Sequence, residues 1–257
     1  MNKESQFYQV LVKIENGIKR MSEQTAAVRW YLEADDLDTA YDKALGLEAV
    51  TEKTTLLTRV LPAYTGYRTA KEDVADIIAK EIPVEIGFTA EGWFCLRMPT
   101  LLPKKSSGSH DYIRTYLLPA MDKFFNGRPR IRYRDCVLVV RHIYDMRRQE
   151  RKMRDHDNIE VNMVTDIVAT KVMPDDNPNV CTHYYCSAAA SEDRTEVYVV
   201  PKHDFPMWFV KEKAMPDKGV KSVANFGRMA QLVEHIVHID GVTGSSPVAT
   251  TNPRKSL

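Results

Sequence analysis

Apolar and polar positions alternate at a helical period through the first eighty or so residues of the chain. Phe7, Val10, Leu11, Ile14 and Ile18 step along one face, and Val28, Tyr31 and Leu32 follow after Ser22. Leu37, Ala40, Tyr41, Ala44 and Leu45 repeat the spacing, then Leu56, Leu57 and Val60 precede Pro62. The pattern predicts a helical hairpin or small bundle, with Trp30, Tyr31 and Tyr41 in its core rather than forming a base-stacking platform. A further helix runs from Ala70 to about Lys80, and Pro83 ends it.

From Val84 the texture changes. Residues 84–99 predict two short strands turning at Ala90, Glu91 and Gly92. Ile113, Tyr116, Leu117, Met121 and Phe124 mark a helix that Pro119 should kink or split. The nearly continuous apolar run Cys136 to Tyr144 predicts a central, buried strand. The stretches 180–188 and 196–200 predict two more, and Phe205, Trp208 and Phe209 suit a short packing helix after Pro206. The reading is α+β: an N-terminal helical region, residues 1–82, followed by a small mixed α/β domain, residues 83–214.

The stretch from Arg154 to Asp176 carries the candidate chemistry, with five Asp residues and a central helical periodicity of Ile159, Met163, Val164, Ile167 and Val168. The spacing predicts a helix starting near Asp157, with Asn158, Asn162 and Asp166 in a polar line along it. Asp155 and Asp157 stand at its mouth, and Asp175 and Asp176 follow it in a turn between Pro174 and Pro178. Crowded carboxylates repel unless a cation sits among them, so one reading is a Mg²⁺ or Mn²⁺ site built from Asp155, Asp157, Asp175 and Asp176. The other is a helix cap from Asp155 or Asp157 and ordinary turn residues at Asp175 and Asp176. The basic run Arg147, Arg148, Arg151, Lys152 and Arg154 abuts this stretch; it neutralises the carboxylates, grips phosphates, or is a solvated loop. Lys104 and Lys105 lie in a second basic loop, either a solvated connection or a phosphate contact.

Composition narrows the picture. Across 257 residues, Lys+Arg 36 against Asp+Glu 35 gives a net charge of +1, so nucleic-acid binding has to rest on local clustering. Four cysteines, a polar opening and the absence of a long apolar run suit a cytoplasmic protein with no membrane partner. Cys181, His183 and Cys186 do not suit zinc: in a strand Cys181 and Cys186 face opposite sides. His142, inside the buried strand, reads as a satisfied structural histidine. Residues 215–257 differ again. FGRMAQLVEHIVHIDGVTGSSPVATTN resembles the in-frame translation of a transfer RNA gene; otherwise it is an amphipathic helix at Met229 to Val237 with a disordered end.

Strand, basic loop, Asp155-x-Asp157-Asn158-Ile159, helix, Asp175-Asp176 and strand together resemble, over residues 84–212, the RusA-type Holliday junction resolvases of phages and prophages. The resemblance implies a small mixed domain that forms a homodimer and binds Mg²⁺ through its Asp cluster. It implies metal-assisted cutting of branched DNA, with Asp155, Asp157 and one of Asp175 and Asp176 as the catalytic, metal-holding set. The family lysine is missing: its place falls on Val161, or on Asn162 if one residue is inserted, and no lysine lies between Asp157 and Lys171. A lysine there would stabilise charge on the phosphate, so its loss implies reduced or absent cleavage. The two-part layout is similar also to an uncharacterised family of bacterial mobile-element proteins. Three functions stay open: a metal-dependent endonuclease, a non-catalytic binder of branched or duplex DNA, and an accessory protein whose helical half binds a protein partner.

Overall fold

The computed structural model describes residues 3–105, 110–129, 131–147 and 153–212. The tail 215–257, with the expected helix at Met229 to Val237, lies outside them. Helices α1 (Lys3–Glu33) and α2 (Leu37–Val60) form an antiparallel hairpin, capped where the Asp36 carboxylate accepts a hydrogen bond from the Thr39 backbone N–H. Small side chains let the helices approach. A Cβ on Gly17 would fall 2.3 Å from Thr54 Oγ1, and Thr54 and Ala40 are buried. The aromatics expected in this core are not there: Trp30 and Tyr41 are 61% and 57% exposed, and Tyr31 is half-buried. A two-helix hairpin has a single inner stripe, and here Val10, Ile14, Gly17, Ala40 and Thr54 occupy it. Among the described residues no helix is long and apolar enough to cross a membrane.

A 3-10 turn (Leu61–Thr65) leads to α3 (Ala70–Glu81), which places Ile78 and Val74 in the core of the mixed domain. That core therefore begins before the boundary expected at residue 82. The sheet contains β1 (Glu85–Phe88), β2 (Phe94–Met98), β3 (Cys136–Asp145), β4 (Cys181–Ala190) and β5 (Arg194–Pro201), in the order β1-β2-β5-β3-β4. The β1–β2 turn closes between Thr89 and Trp93, with Gly92 at φ 91, a conformation that glycine adopts without strain. All neighbours are antiparallel except β3 and β4. The expected central strand is central: β3 lies between β5 and β4, and nine of its ten residues are buried.

Parallel pairing of consecutive strands needs a crossover, and α5 (Asn162–Val172) supplies it. Helix α4 (His110–Phe125) runs unbroken through Pro119 and packs beside α5 over one sheet face. Leu117 and Met121 of α4 meet Val164 and Val168 of α5 and Leu138 and Val199 of the sheet in that core. The opposite face carries a smaller cluster around Trp93, Val139 and Tyr198. The short helix α6 (Phe205–Lys211) closes over it with Trp208. On the same face a fully buried Glu196 accepts hydrogen bonds from Arg194 Nε at 2.8 Å, Tyr198 Oη at 3.0 Å and Arg97 Nε at 3.1 Å. Arg141, 1% exposed, lies 3.9 Å from the same carboxylate.

Candidate nucleic-acid interface

The Asp155–Asn158 segment is not a helix mouth. α5 starts at Asn162, His156–Asn158 form a 3-10 turn, and Ile159 is extended at φ -102, ψ 137. Burial explains the shift. Ile159 and Val161 both point into the core, and that two-residue alternation needs extended backbone. Ile159 forms an antiparallel bridge to Lys104. The Lys105 N–H donates to Asn158 O at 3.0 Å, and the Glu160 N–H to Pro103 O at 2.9 Å. Lys104 and Lys105 are thus zipped alongside the exposed Asp155 and Asp157, with Lys105 itself exposed.

The same loop closes over the C-terminal end of β3 and β4. His156 Nε2 is 2.8 Å from Ser187 Oγ, and the Arg154 N–H donates to Tyr144 Oη at 3.1 Å. Beneath it His142 is buried, its ring 6.4 Å from that of His156. Against the satisfied histidine expected, neither ring nitrogen of His142 has a hydrogen-bond partner among the described residues. Burial pushes it down from 6.5 to about 4, with His156 and Arg154 adding to the effect.

Asp175 and Asp176 stand at the other end of the fold. Asp175 accepts from the Asp176 N–H at 2.8 Å and from Asn177 Nδ2 at 2.6 Å, and these bonds hold its carboxyl below the usual range. The turn delivers the chain to β4, where Asn177 O accepts from the Cys181 N–H. The eleven residues of α5 amount to about 16 Å, and the path along β4 from Cys181 to Ser187 to about 20 Å. Ligands of one cation lie within about 2.6 Å of it. Asp155 and Asp157 therefore do not share a Mg²⁺ or Mn²⁺ ion with Asp175 and Asp176, and no group of three or more ligating side chains occurs among the described residues. Asp175 is the turn residue of the alternative reading. Cys181 and Cys186 do face opposite sides of the sheet, one in each core cluster.

The basic run is divided in its uses. Arg147 grips Asp145 through Nε and Nη2, at the end of β3. Arg154 is half-buried in a cleft of about 350 Å³ between α2 and the mixed domain, lined also by Glu48, Glu52, Pro103 and Tyr116. Burial raises the Glu48 carboxyl and Glu52 adds to the rise, while Arg154 opposes it. Arg154 thus faces the acidic side of α2 and helps to seat the hairpin. Arg59 reinforces that contact, 4.6 Å from the Tyr112 ring centre. Arg148, Arg151 and Lys152 lie outside the described residues.

A second basic surface comes from side chains that form no run in the sequence. Lys71 of α3, Lys123 of α4, Arg128 and Arg132 of the segment before β3, and Lys171 of α5 line one open groove of about 1080 Å³. Only Glu72 and Asp122 among its lining residues are acidic. Arg132 donates to Thr170 O at 3.0 Å and to Met173 O, which satisfies carbonyls at the end of α5. Arg128 lies 4.0 Å above the Phe124 ring. Lys123 pairs with Asp76 at 3.2 Å, and Lys171 pairs with Asp122. The signal that would have pointed here is the alternation Arg128, Arg130, Arg132, Arg134 ahead of β3.

No curated protein and no solved structure matches the chain. A family profile does, over residues 2–223, and the chain belongs to that family, a family of unknown function (DUF6100).

Proposed function

We propose that the protein binds nucleic acid through its phosphate backbone and carries no carboxylate cleavage centre of its own, acting as a DNA-binding accessory of a bacterial mobile element. The observation that carries this is the groove of Lys71, Lys123, Arg128, Arg132 and Lys171, five cations against Glu72 and Asp122 of the lining and Asp76, the partner of Lys123. Phosphate contacts supply most sequence-independent affinity, and they need exposed cations in a concave or linear array. Exposed ion pairs such as Lys123–Asp76 are worth about 0–1 kcal/mol, so a phosphate can replace the carboxylate at small cost. Lys104 and Lys105 give a second contact at the other end of the α4–α5 layer. Two further features support binding over cutting: the separation of the Asp pairs, and the missing lysine of the RusA-like motif.

The test is a labelled four-way junction and a duplex of the same length, incubated with wild type and Asp157→Asn in Mg²⁺ and in Mn²⁺. Binding by both proteins, with no cutting by either, is the expected result. Cutting that Asp157→Asn abolishes would restore the nuclease reading, and absence of binding to either DNA would remove the proposal.

A second reading rests on the hairpin. Leu37, Tyr41 and Leu45 recur every four residues on α2 and are 63%, 57% and 45% exposed, with Trp30 of α1 at 61%. This face suits a protein partner, and a second copy of the chain would cover it. Light scattering on wild type and on Tyr41→Glu separates the cases: a dimer that the substitution dissociates favours pairing there.

A further inference from the structure

Cys136 and Cys181 open the parallel strands β3 and β4 as direct Cα partners, and the Cys136 N–H donates to Val180 O at 3.0 Å. Both side chains lie in the α5-side core. Cys136 Sγ also sits 3.7 Å from Met173 Sδ and 3.5 Å from Val180 O. His183, two residues along β4 on the same face, has its Nδ1 3.2 Å from Tyr185 Oη. Directly paired residues of neighbouring strands bring Cα atoms to about 4.8 Å, inside the range that a disulfide spans.

We propose that Cys136 and Cys181 form a redox-active dithiol, with Cys181 as the attacking thiol, Cys136 as the resolving thiol and His183 as their proton carrier. Position separates the roles. Cys181 is on the edge strand β4 next to the exposed His183, and Cys136 is on the central strand. The charge arrangement agrees. The neighbouring Cys136 and His183 lower the Cys181 thiol, Cys181 raises His183, and Cys181 and burial raise Cys136. Asp176, the other charged group acting on His183, favours its protonated form.

With glutathione disulfide as oxidant the Cys181 thiolate attacks one sulfur and breaks the S–S bond, and the departing glutathione takes the His183 proton. The Cys136 thiol then attacks Cys181 Sγ, and its proton leaves with the second glutathione. Two protein thiols are oxidised and one glutathione disulfide becomes two glutathiones.

Cys95 and Cys186 serve as internal controls, because burial pushes their thiols up, to about 12 for Cys186. Incubating the folded full chain with glutathione disulfide, followed by alkylation and peptide mass spectrometry, should give a Cys136–Cys181 crosslink that reduced glutathione reverses. Brief alkylation of the reduced native protein should label Cys181 about tenfold faster than Cys186. Cys136→Ser should trap a glutathione adduct on Cys181. An uncrosslinked wild-type pair, or labelling of Cys181 no faster than Cys186, overturns the proposal without reliance on any variant.

Discussion

Asp157 and Asp176 stand at opposite ends of α5, one before its first turn and the other beyond its last. An arrangement that reads in sequence as one acidic cluster is two separate surface features in space. Among the described residues neither pair gains the third ligand that a hydrolytic cation site needs. Asp157→Asn and Asp176→Asn should each leave unfolding stability within about 0.5 kcal/mol of wild type. Isothermal titration with Mn²⁺ should show no loss of a binding site in either variant.

The Glu196 carboxylate is the counter-charge for Arg97, Arg141 and Arg194, with Glu85 a further partner for Arg97. Removing the charge leaves Arg141 buried without compensation, a loss of about 3–5 kcal/mol. Glu196→Gln should therefore unfold at much lower urea than wild type. Denaturation followed by the fluorescence of the buried Trp93 and Trp208 measures this.

His142 makes stability fall in acid. Its folded-state value of about 4 lies below the ordinary 6.5, so the unfolded chain binds the proton more readily. The contribution is complete above pH about 6.5 and is lost as pH falls toward about 4, a swing on the order of 3 kcal/mol. Urea midpoints should decline across this window, and His142→Phe should flatten the decline.

Gly17 and Thr54 fix the hairpin crossing. Thr54 Oγ1 is held by Val50 O at 2.8 Å, so it cannot yield to a new Cβ without breaking that bond. Gly17→Ala gains about 1 kcal/mol of helix propensity but forces the helices apart, an overpacking cost of about 1–3 kcal/mol. The expected net effect is a lower melting temperature. Adding Thr54→Ala should recover it, as a double-mutant cycle would show.

Much of the fold was legible because the chain states it locally. The helical hairpin, the turn at Gly92, the central strand Cys136–Asp145 and the crossover helix all follow from apolar periodicity and glycine placement. The outward rotation of Trp30 and Tyr41 was not legible: an amphipathic stripe does not tell which of its members a two-helix contact has room for. The start of α5 was missed for a related reason, since Ile159 fits helical and extended patterns equally and only the pairing with Lys104 decides. The candidate site misled most. Proximity along the chain suggested that Asp157 and Asp176 meet, while α5 holds them apart. Conversely, Lys71, Lys123, Arg132 and Lys171 are far apart in sequence and meet only through the packing of α3, α4 and α5.

The salt dependence of DNA binding reports how many phosphates the groove holds. Fluorescence anisotropy with a labelled four-way junction, across a salt series, would compare wild type with Lys71→Gln/Lys123→Gln/Arg128→Gln. If the groove holds phosphates, the slope of log K against log salt is steep in wild type. It becomes shallower in the variant by about 0.9 for each phosphate that is no longer neutralised, or about 2–3 in all. An unchanged slope in a variant that melts like wild type would contradict the account.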